Sequence, residues 1–189
     1  SEISVDAWFD NAASRQHAVW TSNSGKLPTA DQDVLIPMGA AVGDPFVGLA
    51  SKQGTYSTTR APGSAIAASA VFSANGSAAE FGEMLTAHDD THSSAGSGTV
   101  VDSGASSSNG GTGYLQLLSL DSGSVTVNLQ ESTSSGGSYS NFMTFSTVAA
   151  ASAPSAERLT MEGTVQRYIK VTTTGTFSNA KIVVGFSRS

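Results

Sequence analysis

The chain has no cysteine, which removes a disulfide framework, a thiolate metal centre and a thiol nucleophile together. It is also poor in charge. Asp, Glu, Lys and Arg make up 13% of its 189 residues, where about 25% is usual for a soluble domain. Only nine residues are Lys or Arg against fifteen Asp or Glu, for a formal net charge of −6. No Lys/Arg cluster is present to displace counterions from a phosphate backbone, so gripping nucleic acid is not the main task of this surface. No apolar run approaches the roughly 18 residues that would mark a membrane span, and no signal-peptide pattern opens the sequence. Neither a membrane nor a secretion route is therefore expected.

Ser, Thr, Ala and Gly fill the space left by the missing charges. This composition suits short strands joined by small-residue turns, and a surface with so few charges suits a subunit that associates. The most apolar stretch is 159–188. Val165 to Thr174 is rich in β-branched and aromatic residues, and Lys181 to Phe186 places Ile182, Val184 and Phe186 on one face. With Gly175 to Asn179 as a short turn, the two runs read as an antiparallel hairpin at the centre of a C-terminal sandwich. Tyr114 to Leu120 and Ser124 to Gln130 read as further strands joined by the Asp121–Gly123 turn, with Val125, Val127 and Leu129 facing one way. Phe142 to Val148 and Glu157 to Met161 complete the set. The fold class expected is mainly β: an antiparallel sandwich with one or two short helices and long Ser/Gly-rich loops.

The N-terminal part is less sharply patterned. Asp10 and Asn11 are placed to cap a short helix running to Ala18, with Val19 and Trp20 packing inward. Asp33 to Met38 is a short strand that Pro37 ends or keeps at an edge. Strand-like text follows at Phe46–Leu49 and Thr55–Thr59, and Ser64 to Ser73 reads either as strand or as Ala-rich helix. Ala78 to Ala87, after a Ser77 cap, is expected to be helical. Residues 88–113 are polar and Ser/Gly-rich, a linker or an arm that orders against a neighbour. The expected division is 1–103, a linker or arm at 104–113, and a sandwich at 114–189.

Candidate chemical sites are few. His88, Asp89, Asp90 and His92 have the spacing of a helical two-histidine site, but no third distant ligand accompanies them, so a solvated helix end is the better reading. No Gly-x-Ser-x-Gly elbow or phosphate loop occurs, and His17, His88 and His92 lie outside any nucleophile context. Glu80 with Glu83, and Asp89 with Asp90, read as solvated faces rather than acid/base pairs. Trp8, Trp20, Tyr56 and Tyr114 are scattered and flanked by apolar residues, which favours packing over a sugar-stacking platform. Asn75-Gly76-Ser77 is a turn and a formal glycosylation sequon. Arg158 and Arg167 lie in β segments of a charge-poor chain, so each needs an acid such as Glu157 or Glu162, or a neighbouring subunit. No catalytic, cofactor-binding or metal-binding residue is expected, and the chain is not expected to be an enzyme.

Several stretches, taken in order, resemble the major tail proteins of long-tailed, non-contractile phages. They are Val5–Asp10, Phe46–Tyr56 followed by Arg60, Ala74-Asn75-Gly76 with Glu80–Gly82 and Leu85–Ala87, Gly113–Gln116 and Val125–Gln130. The closing set is Glu157-Arg158-Leu159, Gly163–Tyr168, Gly175–Ala180 and the last apolar strand. The resemblance implies a structural virion protein of tail-tube type, assembled in the host cytoplasm and located in the tail. Its partners would be further copies of itself, in hexameric or pseudo-hexameric stacked rings, and other tail proteins. DNA would pass through the lumen without specific binding. The alternative is a virion decoration or a carbohydrate-binding sandwich.

Overall fold

The computed structural model describes residues 1–10, 17, 20, 21 and 26–189. Within these the protein is mainly β, with antiparallel sheets and a single short 3-10 turn at Ala150–Ser152. The strands in chain order are β1 (Glu2–Trp8), β2 (Gln32–Pro37), β3 (Pro45–Thr59), β4 (Ala67–Ala74), β5 (Glu80–Met84), β6 (Thr91–His92), β7 (Gly96–Ser97) and β8 (Val101–Asp102). They continue as β9 (Gly111–Ser119), β10 (Ser122–Ser132), β11 (Ser140–Thr144), β12 (Val148–Ala149), β13 (Ser155–Met161), β14 (Tyr168–Ser178) and β15 (Ala180–Arg188). The chain divides into two compact units, 1–34 with 49–79, and 35–48 with 80–189. The division differs from the expected one: residues 80–113 belong with the C-terminal strands.

In the first unit β4 pairs with β1 on one side and with the later part of β3 on the other. The Ala-rich run is thus a strand. Period-two alternation sends Ala68, Ala70 and Phe72 inward, where Ile3, Val5 and Ala7 of β1 meet them with Trp20 and Tyr56. Two strands foreseen at 46–49 and 55–59 are one strand, β3, with a bulge between Gln53 and Thr55. Trp20 is buried and its carbonyl accepts a hydrogen bond from Gln53 Nε2 at 2.9 Å. His17 and Trp20 are helical; the other residues of the helix expected to run to Ala18 lie outside the described residues.

The second unit is a sandwich. One sheet has the order β5-β15-β9-β13, and the other is β11-β10-β14-β7 with β8 on β14 and β12 on β10. Between them Leu115, Leu117, Ile182, Val184 and Phe186 of the first sheet meet Val125, Val127, Leu129, Ile169 and Val171 of the second. Of these, Ile182, Val184 and Phe186, and Val125, Val127 and Leu129, are the two sets that alternation placed on one face each. Burying each is worth about 1.5–3 kcal/mol as an upper estimate.

The connectivity corrects the hairpin reading. β14 and β15 do not pair; they lie in opposite sheets. Gly175 to Ser178 extend β14, and Asn179 alone, at φ 48°, turns the chain across the sandwich. β9 and β10 are also in opposite sheets, joined at Leu120–Asp121 rather than by a hairpin turn. Each pair of consecutive strands faces itself across the core, because both members carry an apolar face and a hairpin would have left those faces side by side on one sheet. The two crossings stack at one end. Asn179 Nδ2 donates to Asp121 Oδ2 at 2.8 Å, the Asp121 amide donates to the Ser178 carbonyl at 3.2 Å, and the Ser122 and Ser178 hydroxyls meet at 2.8 Å.

Two further expectations change. Residues 80–84 are strand, not helix: Gly82 packs where a Cβ would stand 2.2 Å from the Phe186 carbonyl oxygen, and this close approach to β15 outweighs a helix weakened by that same glycine. The span 88–113 is neither a linker nor a free arm. Thr91–His92 pairs with β15, Gly96–Ser97 and Val101–Asp102 pair with β14, and β9 begins at Gly111. Val101 is buried in the sandwich core, so even this polar stretch has an apolar anchor.

Gly123 tests the stacked crossings. It sits at φ 77°, and a Cβ there would stand 1.9 Å from the Thr176 carbonyl oxygen. Gly123→Ala is expected to cost at least about 2 kcal/mol, combining the left-handed backbone penalty with backbone displacement. Gly136→Ala, with open space around it, should stay within about 0.5 kcal/mol of the parent. Urea unfolding of the two variants is the check; equal midpoints would refute the account.

Candidate functional site

A largely buried ion pair of the second unit, Arg158 with Glu80, is built on the face of the β5-β15-β9-β13 sheet that looks away from the sandwich core. Arg158 of β13 is in register with Tyr114 of β9, and Thr160 with Thr112. Strand alternation puts all four side chains on this face, since Leu115 and Leu117 occupy the other. On β15 the residues beside them are Gly185, opposite Tyr114, and Ser187, opposite Thr112. Gly185 makes room for the Phe46 ring, which would stand 2.7 Å from a Cβ there, and Glu80, at the start of β5, reaches Arg158 and Tyr114.

Glu80 accepts from Arg158 Nη2 at 2.7 Å and Nε at 3.2 Å, a two-pronged guanidinium–carboxylate contact. Its oxygens also accept from the Tyr114 hydroxyl and, at 3.1 Å, from Thr112 Oγ1. Arg158 Nε also donates to the Tyr114 oxygen at 3.1 Å. The Tyr114 ring is fully buried against Phe46, Met84 and Val183. Gly48 makes this possible, because a Cβ there would stand 2.5 Å from the ring.

The electrostatics follow from burial opposed by pairing. Burial alone would raise the Glu80 carboxyl, but hydrogen bonds from Arg158, Tyr114 and Thr112 outweigh it and hold the group below its ordinary value. Tyr114 is pushed far up, first by burial and then by its bond to Glu80. Burial pulls Arg158 down while Glu80 and Tyr114 raise it, and the net shift is upward. Each group is therefore locked in one protonation state near neutrality. The cluster is a clamp that ties β5, β9 and β13 together.

Sequence reasoning singled out Arg158 but assigned it the wrong partners. Glu157 instead accepts from the Ser146 amide at 2.8 Å and hydroxyl at 3.0 Å. Glu80 and Glu83 are not solvated faces: Glu80 is in the clamp, and Glu83 accepts from Ser103 Oγ at 2.9 Å. Arg167 forks onto Asp102 at 2.6 and 2.8 Å on the surface. Its hydrogen bonds, with one from the Gly104 amide, hold the Asp102 carboxyl at about 2. Arg188 donates to the carbonyls of Val165 at 3.0 Å and Gln166 at 2.6 Å, tying that loop to the end of β15.

The histidine stretch is not on a helix. His92 lies in β6 with Nε2 3.3 Å from Asp90 Oδ2, while His88 and Asp89 are exposed. Among the described residues no group of three or more His, Asp or Glu is placed to hold a metal ion. Of the aromatic residues singled out in the sequence, Tyr114 and Trp20 are buried and Trp8 is exposed. Among the described residues no helix is long and apolar enough to cross a membrane.

Removing the Arg158 charge isolates what the clamp contributes. Arg158→Met leaves the Glu80 carboxylate half-buried and unpaired, and is expected to destabilise by about 2–3 kcal/mol at neutral pH, below the range for fully buried pairs. Because the folded-state pKa of Glu80 is depressed, this contribution is present above the ordinary value of 4.5 and fades as pH falls through the lower folded value. Denaturant midpoints of parent and variant should therefore converge in acid. A constant gap across that range would contradict the assignment.

Comparison of the chain with known protein families, with curated proteins and with solved structures finds no match in any of the three.

Proposed function

We propose that this chain is a structural virion protein, the repeating subunit of a non-contractile phage tail tube that stacks as rings around a DNA-conducting channel. The observation that carries the reading is the ordered set of motifs from Val5–Asp10 to the final apolar strand, which resembles the tail-tube family along most of the sequence. The antiparallel sandwich is compatible with it. β13 and β11 stand at the ends of their sheets, and strand edges of this kind are where a neighbouring copy adds its own backbone hydrogen bonds. Head-to-tail contacts that do not close on themselves generate an open stack.

Charge supports a channel that lets DNA slide. The net charge is −6, and Lys52, Arg158 and Arg167 are each engaged by a carboxylate of the same chain. Cations neutralised in this way release no counterions from DNA. In this reading the function is geometric, and the clamp serves to hold one sheet rigid.

Negative-stain electron microscopy of concentrated protein, beside a sizing run, tests the proposal. Stacked rings or tubes with a central hole are expected, and His88→Ala with His92→Ala should leave them unchanged. A discrete monomer or trimer that binds glycans would replace the proposal with a carbohydrate-binding protein of the virion surface.

A further inference from the structure

The sequence contains two Asn-Gly steps, Asn75-Gly76 and Asn109-Gly110, and the fold treats them in opposite ways. We infer that the Asn75-Gly76 turn is a site of spontaneous backbone-assisted deamidation, that Asn109 is protected from the same reaction, and that conversion of Asn75 undoes a polar link within the first unit.

The reaction needs only the chain and water. The Gly76 backbone nitrogen attacks Asn75 Cγ, the new N–Cγ bond forms as the Cγ–Nδ2 bond breaks, and the amide nitrogen leaves as ammonia with the proton given up by the Gly76 N–H. Water then opens the cyclic imide at either carbonyl, leaving aspartate or isoaspartate. Glycine in the following position favours closure because it has no side chain to obstruct the approach and tolerates unusual backbone angles.

At Asn75 the surroundings permit closure. Both residues are exposed, and nothing lies within 4 Å of the Cβ position of Gly76. At Asn109 they oppose it. Gly110 is buried, its Cβ position is 2.0 Å from the Met161 carbonyl oxygen, and its own carbonyl accepts from the Ser189 amide at 3.2 Å. The peptide that must rotate to form the ring is wedged against the end of β13. Both glycines have positive φ, 89° and 78°, so packing rather than backbone conformation separates the two sites.

The consequence at Asn75 is local and electrostatic. Its Nδ2 donates to Asp31 Oδ2 at 2.9 Å, and Asp31 Oδ1 is 2.6 Å from Lys52 Nζ. Conversion removes the donor and sets a second carboxylate against Asp31, turning an attraction into a like-charge contact.

Intact protein incubated in mildly alkaline buffer, then digested and mapped by mass spectrometry with isoaspartate detection, gives the test. The peptide holding Asn75 is expected to become acidic, as a mixture of aspartate and isoaspartate, while that holding Asn109 keeps its amide; in urea both convert alike. Conversion of Asn109 as fast as Asn75 in the folded protein would overturn the inference, as would an inert Asn75 in folded protein whose urea-unfolded control reacts. For the consequence, Asn75→Asp should lower Tm, and adding Asp31→Asn should recover part of the loss. An Asn75→Asp protein as stable as the parent refutes the claimed link.

Discussion

The second unit depends on two crossings placed side by side. β9 passes to β10 and β14 passes to β15 at the same end of the sandwich, and Asp121 and Ser122 join Ser178 and Asn179 across the two corners through hydrogen bonds. Each crossing makes consecutive strands face one another over the core instead of pairing along an edge. The apolar residues of 115–129 and 169–186 therefore meet as opposed layers. Glycine is required where the layers bend: Gly123 lies against the Thr176 carbonyl, and Gly175, at φ 110°, against the Ser124 carbonyl. A side chain at either place would push one strand off its partner.

On the far face of the β15 sheet the same economy of size has a different outcome. Gly48, Gly82 and Gly185 bring backbones and rings close: Gly48 admits the Tyr114 ring and Gly185 the Phe46 ring, and beside them lies the Glu80–Arg158–Tyr114 clamp. A chain with few charges thus spends two of them half inside, where each is satisfied by hydrogen bonds. Such a pair adds little net stability over an apolar filling of equal shape; its side-chain hydrogen bonds link β5, β9 and β13. Small residues and one ion pair together define this face.

Much of the fold class was legible. Alternation located Val125, Val127 and Leu129, and Ile182, Val184 and Phe186, on the faces they occupy, because period-two burial is a local property of the sequence. Which strand pairs with which was not legible. A short polar connection such as 175–179 has the same composition whether it closes a hairpin or crosses between sheets, and only the need to cover both apolar faces decides. Residues 80–84 were read as helix because Phe81, Met84 and Leu85 fit a helical face, whereas long-range pairing with β15 determines their state. The partner of Arg158 was also invisible locally, since Glu80 lies 78 positions away. Scarcity of acids was the only clue, and it pointed to the nearest ones.

The position of β15 sets an order of assembly for the newly made chain. It lies between β9 and β5 and contributes Ile182, Val184 and Phe186 to the middle of the core, yet every strand it touches precedes it in sequence. As synthesis proceeds, β5 and β9 emerge without the strand that separates them, and each has one side unpaired. The sandwich closes only after residues 180–188 leave the ribosome. Until then the low charge of the chain offers little repulsion between exposed edges, so the interval between making β9 and making β15 is when this protein is most open to pairing with the wrong copy of itself.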